Sequence, residues 1–373
     1  VKGDLVANAS PAEGASQVVR MSAFERLPWR RMILVALSVF IASFVIYGSW
    51  KTLTLPDGKA YSGAAWRDFV ILGIAQGAIL ALIALGYTLV YGILRMINFA
   101  HGEVFMVGAF GSYFFANAYV DSGFMNRHPM TALGILFLTA IICSVGVGVL
   151  LERVAYRPLR NSPRLVPLIT AIGASLFLQN AVRGFFGTNT RGYPKPDILT
   201  GRWDILGLEI ARIQVVVFVV SVVAMIALQL FVSRTKTGKS MRAVSEDPEI
   251  ASLMGIDVDR VVVTTFAIGG VLAGVAGVLF ALTFEQVNFF MGFRPGIAAF
   301  TAAVLGGIGS IGGAALGGFT LGLLQSLGPA LLLTGIGVPS PFQLKDVVTF
   351  AVLVLVLIFR PGGLLGSGEA EKV

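Results

Sequence analysis

The sequence predicts an all-α polytopic membrane protein with about 8–10 membrane-spanning segments, one of them broken by glycines. Three observations lead there. Of the 373 residues, 56% are hydrophobic and only 13% are charged. Mean hydropathy is +0.83, far above that of a soluble domain. Apolar runs of about 18 residues or more recur along the chain, the length that crosses a bilayer as a helix. Many of the 45 glycines lie inside those runs. In lipid, small residues let helix backbones approach closely.

The net charge of +8 does not point to nucleic acid. The excess Lys and Arg sits in short loops beside apolar spans, as the positive-inside rule requires. The expected contact is therefore the lipid bilayer, with no nucleic-acid partner. The single cysteine, Cys143, lies in an apolar run, so no intrachain disulfide can form. The two histidines, His101 and His128, are too few for a histidine metal cluster, and no metal site is expected.

Residues 1–30 are polar, rich in Ala, Ser and Gly, and aperiodic, which predicts a disordered tail. The chain begins with Val, and MSAFERLPWRRM from Met21 reads as a more ordinary start. Residues 31–67 form an extra N-terminal unit. Its apolar run, Met32–Trp50, follows Arg30 and Arg31 and has no small-residue cleavage site before Lys51. It reads as a membrane helix entered from inside, not a signal peptide, with a polar outer loop over 51–67. The membrane domain proper is expected over 68–366, and a short tail over 367–373.

A second span runs from Asp68 to Leu94, and a third, Phe99–Val120, follows after almost no loop. The join, LRMINFAHGE, puts Arg95, Asn98, His101 and Glu103 at a membrane boundary. Such groups are costly in hydrocarbon and must face protein, water or headgroups. Asn98, His101 and Glu103 are candidates for a substrate path or gate. The competing reading is a helix–helix corner whose polar groups cap one another.

Met130–Leu151 is followed by Arg153, Arg157, Arg160 and Arg164, the clearest cytoplasmic signal in the chain. Leu165–Phe186 returns, 187–212 is the longest outer loop, and Ile213–Val232 comes back. Beyond a charged stretch, Val261–Phe284 carries Gly270 and Gly274 in GxxxG spacing. Residues 285–296 form a short outer loop whose Glu285, Gln286 and Asn288 fit either a mouth or a plain membrane-edge loop. The next apolar run is broken by GGIGSIGG. Its first part, Ile297–Leu305, is too short to cross at about 1.5 Å per residue. A discontinuous helix is expected there, tolerated only where backbone is buried in protein or lines a cavity. Gly307, Gly309 and Gly312 are thus pathway or gate candidates. The pairs Gly313/Gly317 and Gly318/Gly322 read as packing faces. A last span, Lys345–Phe359, ends at Arg360 and Pro361. With the N-terminus inside, the C-terminus is inside too.

The stretch 235–260 stands out in so apolar a chain. Lys236, Lys239, Arg242 and Arg260 share it with Glu246, Asp247, Glu249, Asp257 and Asp259. Asp247 and Pro248 predict the N-cap and first position of a short helix. Glu249 sits where the helix dipole favours it, and Gly255 fits the stop. Ile250, Leu253 and Met254 share one face, suited to a groove on a soluble partner. Gly238-Lys239-Ser240 mimics the end of a P-loop, but Ser233 occupies the required glycine position. Gly307–Gly312 fits GxGxxG between two membrane segments, not in a strand–turn–helix unit.

Glu249, Ala251 and Gly255 resemble the E-A-A-x-x-x-G loop of ABC importer permeases, with Ile250 departing from it. Together with GYTLVYGILRMINFAHGEVFMVGAF (Gly86–Phe110), AAVLGGIGSIGGAALGG (Ala302–Gly318) and FRPGGLLG (Phe359–Gly366), the chain closely resembles permeases of the high-affinity branched-chain amino acid ABC family over residues 69–366. That family also includes permeases for urea, short amides and other amino acids. The resemblance implies an ABC importer permease architecture in a multi-subunit complex of the bacterial cytoplasmic membrane. It implies a second related permease, two cytoplasmic ATPases that use ATP and Mg, and an extracytoplasmic substrate-binding protein. This chain itself would bind no cofactor and catalyse no reaction. Asp247, Glu249, Ala251, Leu253 and Gly255 would form its coupling helix. An ion-coupled secondary transporter is the rival class, disfavoured by the scarcity of acids well inside spans. A membrane-embedded enzyme is another, and no clustered catalytic set supports it.

Overall fold

The computed structural model describes residues 28–366, apart from 57–59, 161, 164 and 206. Of the tail expected over 1–30, residues 1–27 lie outside the described residues and 28–30 are helical instead, while the tail expected over 367–373 and Arg164 lie outside the described residues. The first helix, α1 (Pro28–Leu53), begins slightly before the expected boundary, and α2 (Gly63–Leu94) begins inside the expected loop. Ser62 explains the early start of α2: its hydroxyl accepts from the Ala65 N–H at 3.2 Å, an N-cap. Then come α3 (His101–Asp121), the single turn α4 (Phe124–Arg127) and α5 (Pro129–Leu151), prolonged by a π-helical turn over Glu152–Tyr156. Next is α6 (Leu165–Phe186), followed by the strands β1 (Arg191–Gly192), β2 (Arg202–Ile205) and β3 (Leu208–Ala211). After α7 (Arg212–Arg234), the charged stretch folds as α8 (Lys236–Glu246) and α9 (Pro248–Leu253). The chain closes with α10 (Val258–Phe284), β4 (Gln286–Val287), α11 (Phe293–Gly306), α12 (Ile311–Leu333) and α13 (Lys345–Phe359).

Eight helices of the described residues are long and apolar enough to cross a membrane: α1, α2, α5, α6, α7, α10, α12 and α13. The protein is thus an integral membrane protein with an all-α membrane core. The expected third span, α3, has the length for crossing but is diluted by His101, Glu103, Asn117 and Asp121 and is not one of the eight. It is nonetheless largely interior, packed on α5 and α10.

The core is built around α2 and α10, whose side chains are mostly buried. Glycines set the closest approaches. A Cβ on Gly322 would overlap the Gly77 backbone, and one on Gly318 would overlap Ala81, so α12 lies backbone to backbone on α2. Gly313 and Gly317 face α11 instead. Gly270 and Gly274 meet α5 at Val145 and Ala140. The large apolar side chains left exposed lie chiefly on α1, α5, α6, α7 and α13, the faces a bilayer or a neighbouring subunit would cover.

The loop 187–212 has more order than its composition suggests. The strands β2 and β3 form a hairpin, and the Asp204 carboxylate accepts from the Gly207 N–H at 2.9 Å. Antiparallel pairing joins β1 to β4, and Lys195 meets Glu285 at 2.5 Å. The Tyr193 hydroxyl reaches Ser112 at 2.9 Å, and burial pushes this phenol upward in pKa, keeping it neutral. Two loops far apart in sequence thereby cap one end of the bundle together.

Candidate functional site

The charged stretch forms a stiff two-helix projection at the other end of the bundle. The Thr235 hydroxyl caps α8 by accepting from the Gly238 N–H at 3.0 Å, and Met241 and Val244 anchor α8 inward. The Arg95 guanidinium donates to the Ser245 carbonyl at 3.4 Å, which ties α8 to the end of α2. The Asp247 carboxylate then accepts from the N–H groups of Glu249 and Ile250 at 2.8 and 2.9 Å. At the far end Gly255 has φ +82°. Its N–H donates to Ser252 at 3.0 Å and the Ile256 N–H to Ala251 at 3.1 Å, the paired bonds of a Schellman stop. Ala251 is buried and holds the helix down. Ile250, Leu253 and Met254 are 59%, 87% and 78% exposed. Glu249 is exposed beside them. A six-residue helix capped at both ends thus presents Ile250 and Leu253 outward, with Met254 of its C-cap beside them.

The same end carries an ionic cluster. Arg157 and Arg160 both pair with Asp259 at the start of α10, the second at 2.5 Å, and Arg160 also pairs with the buried Glu152. The basic loop after α5 is thereby fastened to the helix that follows α9.

Asn98, His101 and Glu103 all lie in the interior where α3 begins. The Tyr156 hydroxyl donates to the Asn98 side-chain oxygen at 2.6 Å. The His101 ring packs against Gly86 and lies 5.0 Å from the Tyr87 ring centroid. Glu103, 1% exposed, accepts from Gln179 at 2.7 Å and from Ser175 at 3.2 Å, linking α3 to α6. Its other oxygen and the His101 Nε2 have no hydrogen-bond partner among the described residues. None of the three lines either of the two cavities described next.

The glycine break is a built feature. Gly307 and Gly309 have φ +105° and +97°. The Ser310 hydroxyl caps α12 by accepting from the Gly313 N–H at 3.1 Å. Gly307 packs on the segment Gly362–Gly366, whose Leu364 and Leu365 N–H groups donate to the carbonyls of Leu305 and Gly306 at 2.8 and 2.9 Å. Gly309 and Gly312 line a cavity of about 330 Å³ with Thr88, Gln229, Ser233 and Arg242. Because Arg242 and Ser245 of α8 belong to the same wall, the break and the charged projection border one space.

A second cavity of about 310 Å³ opens at the opposite end, between α2, α10, α11, α12 and α13. Gln286 and Asn288 line it, whereas Glu285 is engaged with Lys195. Sequence reasoning missed its other polar members, Gln76, Arg294, Gln325, Lys345 and Asp346. The available signal was Gln76 and Gln325, amides set inside otherwise apolar runs.

Residues 69–357 match the family described as the permease component of the branched-chain amino acid transport system. The chain is 46% identical over 306 residues to the high-affinity branched-chain amino acid transport system permease protein LivH of Salmonella typhimurium, covering 81% of this chain and 96% of that one. It is 43% identical over 309 residues to the corresponding protein BraD of Pseudomonas aeruginosa, covering 82% and 97%. It is 29% identical over 302 residues to a probable LivH of Methanocaldococcus jannaschii, covering 79% and 92%. The family match begins at residue 69, so α1 lies outside it.

Proposed function

The chain belongs to the branched-chain amino acid transport system permease family, and on that premise we propose that it is the membrane-spanning permease subunit of an ATP-driven importer for leucine, isoleucine and valine. The observation that carries the coupling part of this reading is the exposed apolar triad of α9, held rigid by Asp247 and Gly255. An exposed Leu at the tip of a capped helix gains nothing in water. It gains a great deal in a groove on a partner.

In this reading a cytoplasmic ATPase takes α9 in such a groove, and Glu249 sits at its rim. A second ATPase serves a related permease, and an extracytoplasmic binding protein delivers the amino acid. ATP and Mg are bound by those partners. Closure of the ATPases moves α8 and α9 as one body, and the permease pair swings between outward- and inward-facing forms. The cavity shared by α8 and the Gly309–Gly312 break lies where such a movement would be felt first. The proposed orientation puts α8, α9 and both termini in the cytoplasm, because Arg153, Arg157, Arg160 and Arg360 border that end. Asn98, His101 and Glu103 are assigned to the gate region, as is the break at Gly307, Gly309 and Gly312.

The test is ATP-dependent uptake of labelled leucine, isoleucine, valine and urea in cells with and without the gene. Loss of the three amino acids alone is expected. Loss of urea uptake instead would keep the ATP-driven class and move the substrate. Uptake that persists unchanged and is independent of ATP would sink the reading.

A further inference from the structure

The cavity opposite the α8–α9 end holds both signs of charge above an apolar throat. Arg294 stands in the first turn of α11 and Asp346 in the first turn of α13, with Nη1 and Oδ2 3.6 Å apart. That is long for a charge-assisted hydrogen bond, which closes at about 2.7–2.9 Å. The side chains are 71% and 36% exposed, so both charges face water at the mouth and keep bonding capacity in reserve. Lys345 adds a second cation, its ammonium 5.9 Å from the Phe284 ring centroid. Below them Ile79, Leu80, Phe280 and Phe284 form apolar walls. Gln76 from α2 and Gln325 from α12 add two amides to the lining, the latter about two turns from the end of α12.

We propose that this cavity is a recognition site within the permease for an aliphatic α-amino acid in its zwitterionic form. The α-carboxylate is taken by Arg294, the α-ammonium by Asp346, and the side chain by the Phe280–Phe284 wall. The proposal rests on the reading of the chain as an amino-acid importer and deepens it. A zwitterion placed between a loosely paired cation and anion replaces one long contact with two short ones, and adds no net charge to the cavity mouth. A ligand bearing only one of the two charges leaves one protein charge without its match. The site therefore selects for the pair of charges as well as for the aliphatic chain. A surface ion pair that merely fastens α11 to α13 would make no such distinction.

The test uses the complete transporter in proteoliposomes, with Cys143→Ser and Gln76→Cys introduced so that the one thiol lies inside the cavity. Alkylation of that thiol is timed with L-leucine, with 4-methylpentanoate, which lacks the ammonium, and with 3-methylbutylamine, which lacks the carboxylate. Leucine should protect at a concentration about tenfold below that needed by either analogue. Asp346→Asn should remove the advantage of leucine over 4-methylpentanoate, and Arg294→Gln its advantage over the amine. Equal protection by all three, none by leucine, or equal weakening of all ligands in both variants would each overturn the proposal. ATP-driven leucine uptake by the unmodified transporter is measured in parallel. Uptake without leucine protection defeats this site alone, whereas absence of uptake defeats the importer reading itself.

Discussion

The Leu364 N–H donates to the Leu305 carbonyl at 2.8 Å, so the closing segment of the chain satisfies the end of a helix that stops inside the bundle. The last four carbonyls of any α-helix lack intrahelical partners. In α11 the Gly307 N–H serves Ala303 and Val304, while Leu364 and Leu365 serve Leu305 and Gly306. Within a membrane protein such carbonyls have no water to turn to. Two glycine-rich motifs some fifty residues apart in sequence are thus one structure.

That account predicts a steep cost for a single methyl at Gly363. Its φ is +73°, and a Cβ there would overlap the backbone of Gly307. Gly363→Ala should lower the thermal midpoint of the purified protein by several degrees. Leu364→Ala, which keeps the donating N–H, should lower it less. Equal midpoints for both variants and the parent would remove the closing segment from the architecture.

The seam between α12 and α2 gives a second prediction. Gly322→Ala pushes a methyl into the Gly77 backbone, an overpacking that costs about 1–3 kcal/mol. Gly134→Ala, at a position with open space around it, should be neutral or slightly stabilising, since Ala is the better helix former. Comparing the melting of the two variants in detergent checks the seam without reference to transport.

Much of this architecture was legible beforehand, and the reasons are physical. Span positions follow from the absence of water in the bilayer, and the bounds of α6 and α13 match the expected residues. Asp247, Pro248 and Gly255 are local signals, and α9 starts and stops by them. The α11 break follows from a length too short to cross. What stayed hidden depends on partners distant in sequence. Nothing local says that Tyr156 finds Asn98, that Lys195 finds Glu285, or that Arg294 and Asp346 flank one mouth. The β2–β3 hairpin was missed because its strands, Arg-Trp-Asp-Ile and Leu-Glu-Ile-Ala, alternate over only four residues each, a run too short to stand out within a loop.

The buried link between α3 and α6 supports a third prediction. Gln179 donates to Glu103 at 2.7 Å, and both are buried. Gln179→Leu removes the shorter of the two hydrogen bonds to a buried carboxyl and should cost about 1–3 kcal/mol. Glu103→Gln leaves an acceptor in place for Gln179 and Ser175, so its stability should stay near that of the parent. A chemical or thermal melt of the two variants separates the cases. If both melt alike, the carboxyl does not hold α3 to α6.

The coupling role proposed for α9 yields the last prediction. Leu253 is 87% exposed and touches little of its own chain, so Leu253→Asp should leave the fold and its melting temperature intact. It should nevertheless abolish copurification of the ATPase and ATP-driven uptake, because it places a charge in a contact that is apolar on this side. Gly255→Ala acts differently. It forces a side chain into φ +82° and loosens the Schellman stop at a cost of about 1–2 kcal/mol, so partial loss of coupling is expected. The Ile250→Ala change, which shortens one member of the apolar triad and matches the second residue of the loop pattern, should weaken copurification far less than Leu253→Asp. Retention of full ATPase binding and uptake by Leu253→Asp would show that the partner grips the permease elsewhere, and α9 would then be only a capped turn between α8 and α10.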